Sequence, residues 1–325
     1  MTEILVAIDE GEHRHVALEF AAADAVASGR ALRIVHVVHP LNRVVPRQPQ
    51  GSERRPPEPD PEASAAHRLL DEAADVVRSR YGDSPAVRTE ILEGMPLPVI
   101  LEAAGESAKV YLQRRHLSPL DNVLNGPVVA GVAARSPVPV VVVPEAFSGW
   151  DLPGRRRVTV AVKRTGHQEE LLEEGFRTAS RMQAGLKILR VVEPHRLHGV
   201  MHGVSLPGRH HPEHAAPHVE TLTTAELRLL EYLAAWRGRF PEVPTRAQVL
   251  RQRAVIALLE ATADSDVLLI SRPPTRLPAN ALGTLSRALI REAVCPVAIV
   301  PVHPHVPSHV RSTPYTGADA RGPIY

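Results

Sequence analysis

The chain has a single cysteine, Cys295, and its aromatic content is only 3%. One thiol excludes an internal disulfide framework and suits a reducing compartment. With so few rings the core has to be built from Val, Leu, Ile and Ala, the aliphatic mix of a buried parallel sheet flanked by helices. No apolar run approaches the roughly 18–20 residues that a membrane helix needs. Met1-Thr2-Glu3 leads straight into an aliphatic strand without the basic region of a signal peptide. The expectation is a cytoplasmic protein without membrane contact. Charge of one sign is missing as well: 38 Lys and Arg against 36 Asp and Glu leave a formal net charge of +2. That balance argues against nucleic acid as a partner. There is no Gly-x-Ser-x-Gly elbow, no Walker A loop and no His-Glu-x-x-His. No catalytic residue is assigned, and the chain is not expected to be an enzyme.

What the sequence does contain is a repeat. The 325 residues exceed what one core usually holds, so two domains of roughly 150 residues are the starting expectation. Ile4-Leu5-Val6-Ala7-Ile8 returns as Val158-Thr159-Val160-Ala161-Val162, a shift of 154 positions. The same shift carries Leu32–Pro40 onto Leu186–Pro194. Further on the shift becomes 157, which places Gly126 on Gly283 and Pro139–Pro144 on Pro296–Pro301. Two domain-sized copies indicate a duplicated unit rather than a solenoid.

Within the first copy aliphatic runs alternate with helical periodicity. Strands are predicted near 4–8, 33–38, 86–92, 109–112 and 140–143, and helices near 15–28, 63–80, 96–104 and from 126 onward. Strands separated by helices make βαβ units and a parallel sheet covered on both faces. The predicted domains are 1–146 and 155–302. They are interrupted by a Pro-rich insertion at about 41–62 and a His-rich insertion at about 195–220, and followed by a disordered tail at 303–325. The His-rich loop carries His195, His198, His202, His210, His211, His214 and His218. Imidazoles at that density can bind transition metals, but the spacing matches no known site and no cysteine is near. It is read as a solvated insertion without an assigned metal, and a metal-responsive protein stands as one alternative. Cys295, before Pro296 and an aliphatic strand, reads as a buried inert thiol, and His36 as a core or edge histidine.

The strand Ile4-Leu5-Val6-Ala7-Ile8-Asp9, the second strand ending Val35-His36-Val37-Val38, the Glu93-Gly94 turn and the strand Pro137-Val138-Pro139-Val140-Val141-Val142-Val143 together resemble the universal stress protein family. The likeness covers nearly all of both copies. It implies an α/β fold of two Rossmann-like (adenine nucleotide alpha hydrolase-like) domains, each a five-stranded parallel sheet flanked by helices. In many members it also implies an ATP site at the carboxyl edge and dimerisation through the last strand. A tandem chain can satisfy that pairing internally, as an intramolecular pseudo-dimer, with a further homodimer left open.

The family's ATP motif is Gly-x2-Gly-x9-Gly-(Ser/Thr), whose glycines let backbone N–H groups close on phosphates at a helix N-terminus. Laid on the first copy it falls on Gln113, His116, Gly126 and Pro127; on the second it falls on Ile270, Pro273, Gly283 and Thr284. Only the last glycine survives in each copy. The strand-1 carboxylate is Asp9 in the first copy and Lys163 in the second. The resemblance therefore implies a degenerate adenine-nucleotide site, formed in the first copy by Asp9, Val38, Arg114, Arg115, His116 and Gly126. Arginines, among them Arg272 in the second copy, would replace lost backbone donors. Gly283 and Thr284 keep a helix start suited to phosphate in the second copy. The first copy is expected to be favoured, because it retains Asp9. The second is not expected to bind ATP in the family's manner, because of Lys163, Ile270 and Pro273. Two classes of function follow: a stress-response or signalling protein that binds ATP or a related adenine nucleotide, and a nucleotide-free regulatory or dimerisation scaffold with a protein partner.

Overall fold

The structure is a computed structural model that describes residues 2–10, 15–38, 61–114, 126–148, 156–163, 168–193, 222–272 and 282–302. The His-rich segment, most of the Pro-rich segment and the C-terminal tail lie outside the described residues, as do Arg115, His116 and Pro273.

The first half runs β1 (Glu3–Ile8), α1 (His15–Ser28), β2 (Leu32–Val38), α2 (Pro61–Tyr81), β3 (Val87–Glu93), α3 (Pro96–Gly105), β4 (Ser107–Arg114), α4 (Gly126–Arg135) and β5 (Val140–Pro144). The second half repeats this order with β6 (Arg157–Val162), α5 (Glu169–Met182), β7 (Gly185–Val191), α6 (Leu222–Arg239), β8 (Thr245–Leu250), α7 (Ala254–Ala263), β9 (Val267–Arg272), α8 (Thr284–Glu292) and β10 (Val297–Pro301). The α/β reading of two similar halves holds. The Pro-rich insertion ends slightly earlier than its sequence limit of 62, because α2 already begins at Pro61. A proline is tolerated there, since the first helical N–H has no intrahelical acceptor.

The strands form one ten-stranded sheet in the order β3-β2-β1-β4-β5-β10-β9-β6-β7-β8. Every neighbour is parallel except β5 and β10, which pair antiparallel with Val142 opposite Val297, Val141 opposite Ala298 and Val140 opposite Ile299. The expected adjacency of the two last strands across a pseudo-twofold axis is therefore present, and it runs between Val141 and Ala298. Short aliphatic edges that would otherwise be open to aggregation close on each other.

Alternate strand residues feed two cores. Ile4, Val6, Ile8, Val141, Val143, Val158, Val160, Ala298 and Val300 lie in the layer with α1, α2, α5 and α6. Leu5, Val110, Leu112, Val140, Val142, Leu268 and Ile299 pack into the layer with α3, α4, α7 and α8. The period of two along each strand makes this division. The few aromatics are concentrated: Phe176 of α5 stacks on Trp236 and Phe240 at 5.7 and 5.3 Å between ring centres.

The pairing registers refine the repeat. The shift of 154 holds for β1 with β6 and β2 with β7, and that of 157 for β5 with β10. Between them, β4 and β9 match one residue further along. Tyr111 and Leu269 take equivalent places opposite Val6 and Val160, so Gln113 corresponds to Ser271, and Arg114 to Arg272.

Candidate functional site

In a half-sheet ordered 3-2-1-4-5 the chain leaves the first strand in one direction and the fourth in the other. The crevice at their carboxyl ends is where ligands of such sheets bind. In the first half this crevice lies between the ends of β1 and β4. Asp9 is exposed just past β1. Val38 is buried at the end of β2, and its carbonyl accepts from Gly94 N–H at 3.1 Å. Gly94 has φ +138°, which L side chains rarely adopt, and this accounts for the glycine in the Glu93-Gly94 turn. His36 is buried, with Nδ1 3.0 Å from the Ile8 carbonyl, a satisfied core histidine linking β2 to the end of β1.

Two residues of the first-half motif are occupied otherwise. The Gln113 side-chain oxygen accepts from the Ala17 N–H at 3.3 Å, in the first turn of α1. Arg114 reaches across into the second half, donating to the carbonyls of Ile290 at 2.8 Å and Ala293 at 2.9 Å at the end of α8. Arg272 does the same in the opposite direction, to Ala133 at 3.1 Å and Ser136 at 2.7 Å at the end of α4. These are the orphan carbonyls of a helix C-terminus, at the negative end of its dipole, and a guanidinium fork satisfies two at once. Both arginines, considered from the sequence as phosphate partners, are directed by the structure to helix ends. The sequence shows two arginines at strand ends; only the adjacency of β5 and β10 brings each to the other half's helix. Gly126 begins α4, while Arg115 and His116 lie outside the described residues.

The second half presents an open cleft at the corresponding edge, enclosing about 450 Å³ partly open to solvent. Ala161, Val162 and Lys163 at the end of β6 line it, with Leu189 of β7, Ser271 of β9 and Ser286 of α8. The register places Ser271, not Ile270, at the first motif position. Ile270 is a buried strand residue, 4% exposed, and lines the same cleft beside Ser271. Gly283 is the N-cap of α8, with φ −60°, no side-chain cap and open space where a Cβ would be. Its backbone does not require glycine. Thr284 is the exposed first helical residue, and Lys163 is likewise exposed.

A family model for the universal stress proteins matches this sequence twice, over residues 1–144 and 154–301. The chain belongs to the universal stress protein family. Curated relatives of like length include the universal stress protein Rv1996 of Mycobacterium tuberculosis, 25% identical over 317 residues, covering 94% of this chain and 97% of the relative. Another from that organism, Rv2623, is 24% identical over 302 residues, covering 91% and 95%. A universal stress protein structure from Archaeoglobus fulgidus superposes with a TM-score of 0.59 at 17% identity, over 93% of this chain and 96% of that one. A functionally unknown Pseudomonas aeruginosa protein gives 0.60 at 14% identity, over 93% of both. At such identities the structural likenesses speak for the fold.

In this universal stress protein no helix among the described residues is long and apolar enough to cross a membrane. No group of three metal-ligating side chains occurs among the described residues, and the His-rich segment is not one of those. Cys295 is 1% exposed, and burial together with the Asp266 carboxylate pushes its thiol up to about 12. It is not a thiolate at neutral pH.

Proposed function

We propose that this universal stress protein is a cytoplasmic, non-catalytic stress-response or signalling protein that holds an adenine nucleotide in its second half. The observation that carries this reading is the cleft at the switch point between β6 and β9, with Ser271 at the first motif position. Ala161, Val162 and Leu189 give an apolar wall for a flat base. Ser271 and Ser286 supply hydroxyls, and Lys163 supplies a cation where the family carries a carboxylate. The start of α8, at Gly283-Thr284, offers N–H groups and a positive dipole end to a phosphate. Asp9 had favoured the first half on sequence grounds. The second is preferred here because Lys163, Ser271 and Ser286 line its cleft, whereas the Gln113 side chain at the matching first-half position is held by the Ala17 N–H.

The test uses the full chain. ATP, ADP and AMP with Mg²⁺ are titrated by calorimetry, with thermal shift in parallel. A ligand at 100 times its Kd stabilises by about 2.7 kcal/mol. Gly283→Ala should fold normally, given its ordinary φ and open space. It should weaken binding at least about tenfold, by crowding the phosphate approach. Nucleotides that leave the melting temperature unmoved would instead favour the nucleotide-free scaffold. That alternative has one observation of its own, the use of Arg114 and Arg272 to join the halves.

A further inference from the structure

Across the pseudo-twofold axis α1 and α5 face each other over β4, β5, β10 and β9, and the two sides are not alike. Lys109 of β4 is buried, with Nζ 2.8 Å from Asp24 of its own half and 2.7 Å from Glu174 of the other. Asp24 also takes Arg181 of the other half at 3.1 Å and the Tyr111 hydroxyl at 2.9 Å. Helices α1 and α5 correspond residue for residue, which makes Phe20 the counterpart of Glu174, Thr178 of Asp24 and Ala27 of Arg181. The strand register makes Val267 the counterpart of Lys109 and Leu269 that of Tyr111. On one side of the axis, then, a charged cluster crosses between the halves; on the other Phe20, Ala27, Val267 and Leu269 stand in its place.

We infer that this buried four-charge cluster is a pairing code, which makes the first half's surface fit the second half and misfit a second copy of itself. The backbone contacts between the halves are symmetric. The β5–β10 hydrogen-bond ladder and the two arginine clamps repeat about the axis, and so could form between like halves as well. The cluster would not. Two first halves together would put Phe20 against Lys109 and Ala27 against Asp24. Two second halves would bury Glu174 against Val267 and leave Arg181 beside Thr178. Both like pairings lose Lys109–Glu174 and Asp24–Arg181: as ion partners Lys109 and Asp24 keep only each other, and Glu174 and Arg181 lose theirs across a largely buried interface, where a lost ion partner is costly. Each half brings one cation and one anion, so net charge is the same in every pairing; what only the unlike pair supplies is the two ion pairs across the axis, Lys109–Glu174 and Asp24–Arg181.

Because the connecting segment alone holds the halves at high effective concentration, the experiment removes it after folding. A protease site is placed within residues 149–155 of the full chain and cut. The cut protein is unfolded in urea and refolded by dilution, and the pairs are counted by native mass spectrometry. In the parent, unlike pairs should exceed like pairs by more than about tenfold. A symmetrised variant gives each residue its counterpart's identity: Asp24→Thr, Lys109→Val, Glu174→Phe and Arg181→Ala. Its like pairs should rise toward the statistical share of about one quarter each. Should that variant fail to fold, the near-isosteric Glu174→Gln with Arg181→Gln is read in the same way, with like pairs rising several-fold. Statistical pairing in the parent, parent halves that do not re-pair, or variants as selective as the parent would each overturn the inference. Nucleotide binding does not enter this readout.

Discussion

Burial alone would raise the carboxyl of Asp24, but the Lys109 ammonium and the Arg181 guanidinium beside it bring it down to about 2. Burial likewise works against the charge on Lys109, and Asp24 and Glu174 overcome it, raising the ammonium above its ordinary value. The folded carboxyl of Asp24 lies below its ordinary 3.8, so its contribution is present above that pH and is lost as the pH falls toward 2. The parent should lose on the order of 2 kcal/mol from this group between pH 4 and pH 2. Asp24→Asn should be less stable at pH 7, by about 3 kcal/mol, since it leaves buried cations short of a partner. It should also show a flatter fall in acid. Urea unfolding at a series of pH values measures both. Neither Asp24 nor Lys109 stands out in the sequence, where each is one charge in an aliphatic stretch. Their meeting depends on α1 lying over β4 and on α5 arriving from the other half.

The helices are legible from their 3.6-residue periodicity, and α1 has the predicted bounds of 15–28. The strands are legible as aliphatic runs; β4 extends to Ser107–Arg114 beyond the predicted 109–112, because its ends carry polar residues that weaken the apolar signal. What secures the last turns of α4 and α8 is a feature of tertiary structure. Arg114→Ala should uncap α8 and Arg272→Ala should uncap α4, each costing about 1–3 kcal/mol. Lys at either place should restore little, because one ammonium does not reproduce a fork set against two carbonyls. Thermal unfolding reads the cost. Amide exchange adds the location, since protection should fall at the end of α8 for the first variant and at the end of α4 for the second. An unchanged exchange pattern would count against the clamps.

At the scale of the whole molecule, two half-sheets share one ladder and two continuous core layers. Calorimetry should therefore show a single transition, with calorimetric and van't Hoff enthalpies in agreement. Ile299 is 1% exposed and sits opposite Val140 in the ladder that joins the halves. Ile299→Asp would bury an unpaired carboxylate there, at a cost of several kcal/mol. It should split the transition in two or lower it sharply. Two transitions in the parent would mean that the ladder does not couple the halves.

The sequence by itself determined the duplication, the α/β alternation in each half and the resemblance that identifies the family. These reside in local hydrophobic period and in order along the chain, which any single copy of the pattern displays. It also marked the motif as degenerate, with Gly126 and Gly283 retained. Tertiary structure alone decided the one-residue register that brings Ser271 into the motif's first place. A strand's register is set by its neighbours, and the repeat shift changes inside segments that carry no periodicity. It also decided that Arg114 and Arg272 grip opposite helix ends and that Lys109 bridges Asp24 to Glu174. Those partners are distant in sequence and belong to opposite halves, so no local pattern can announce them; the pairing of β5 with β10 creates the contacts.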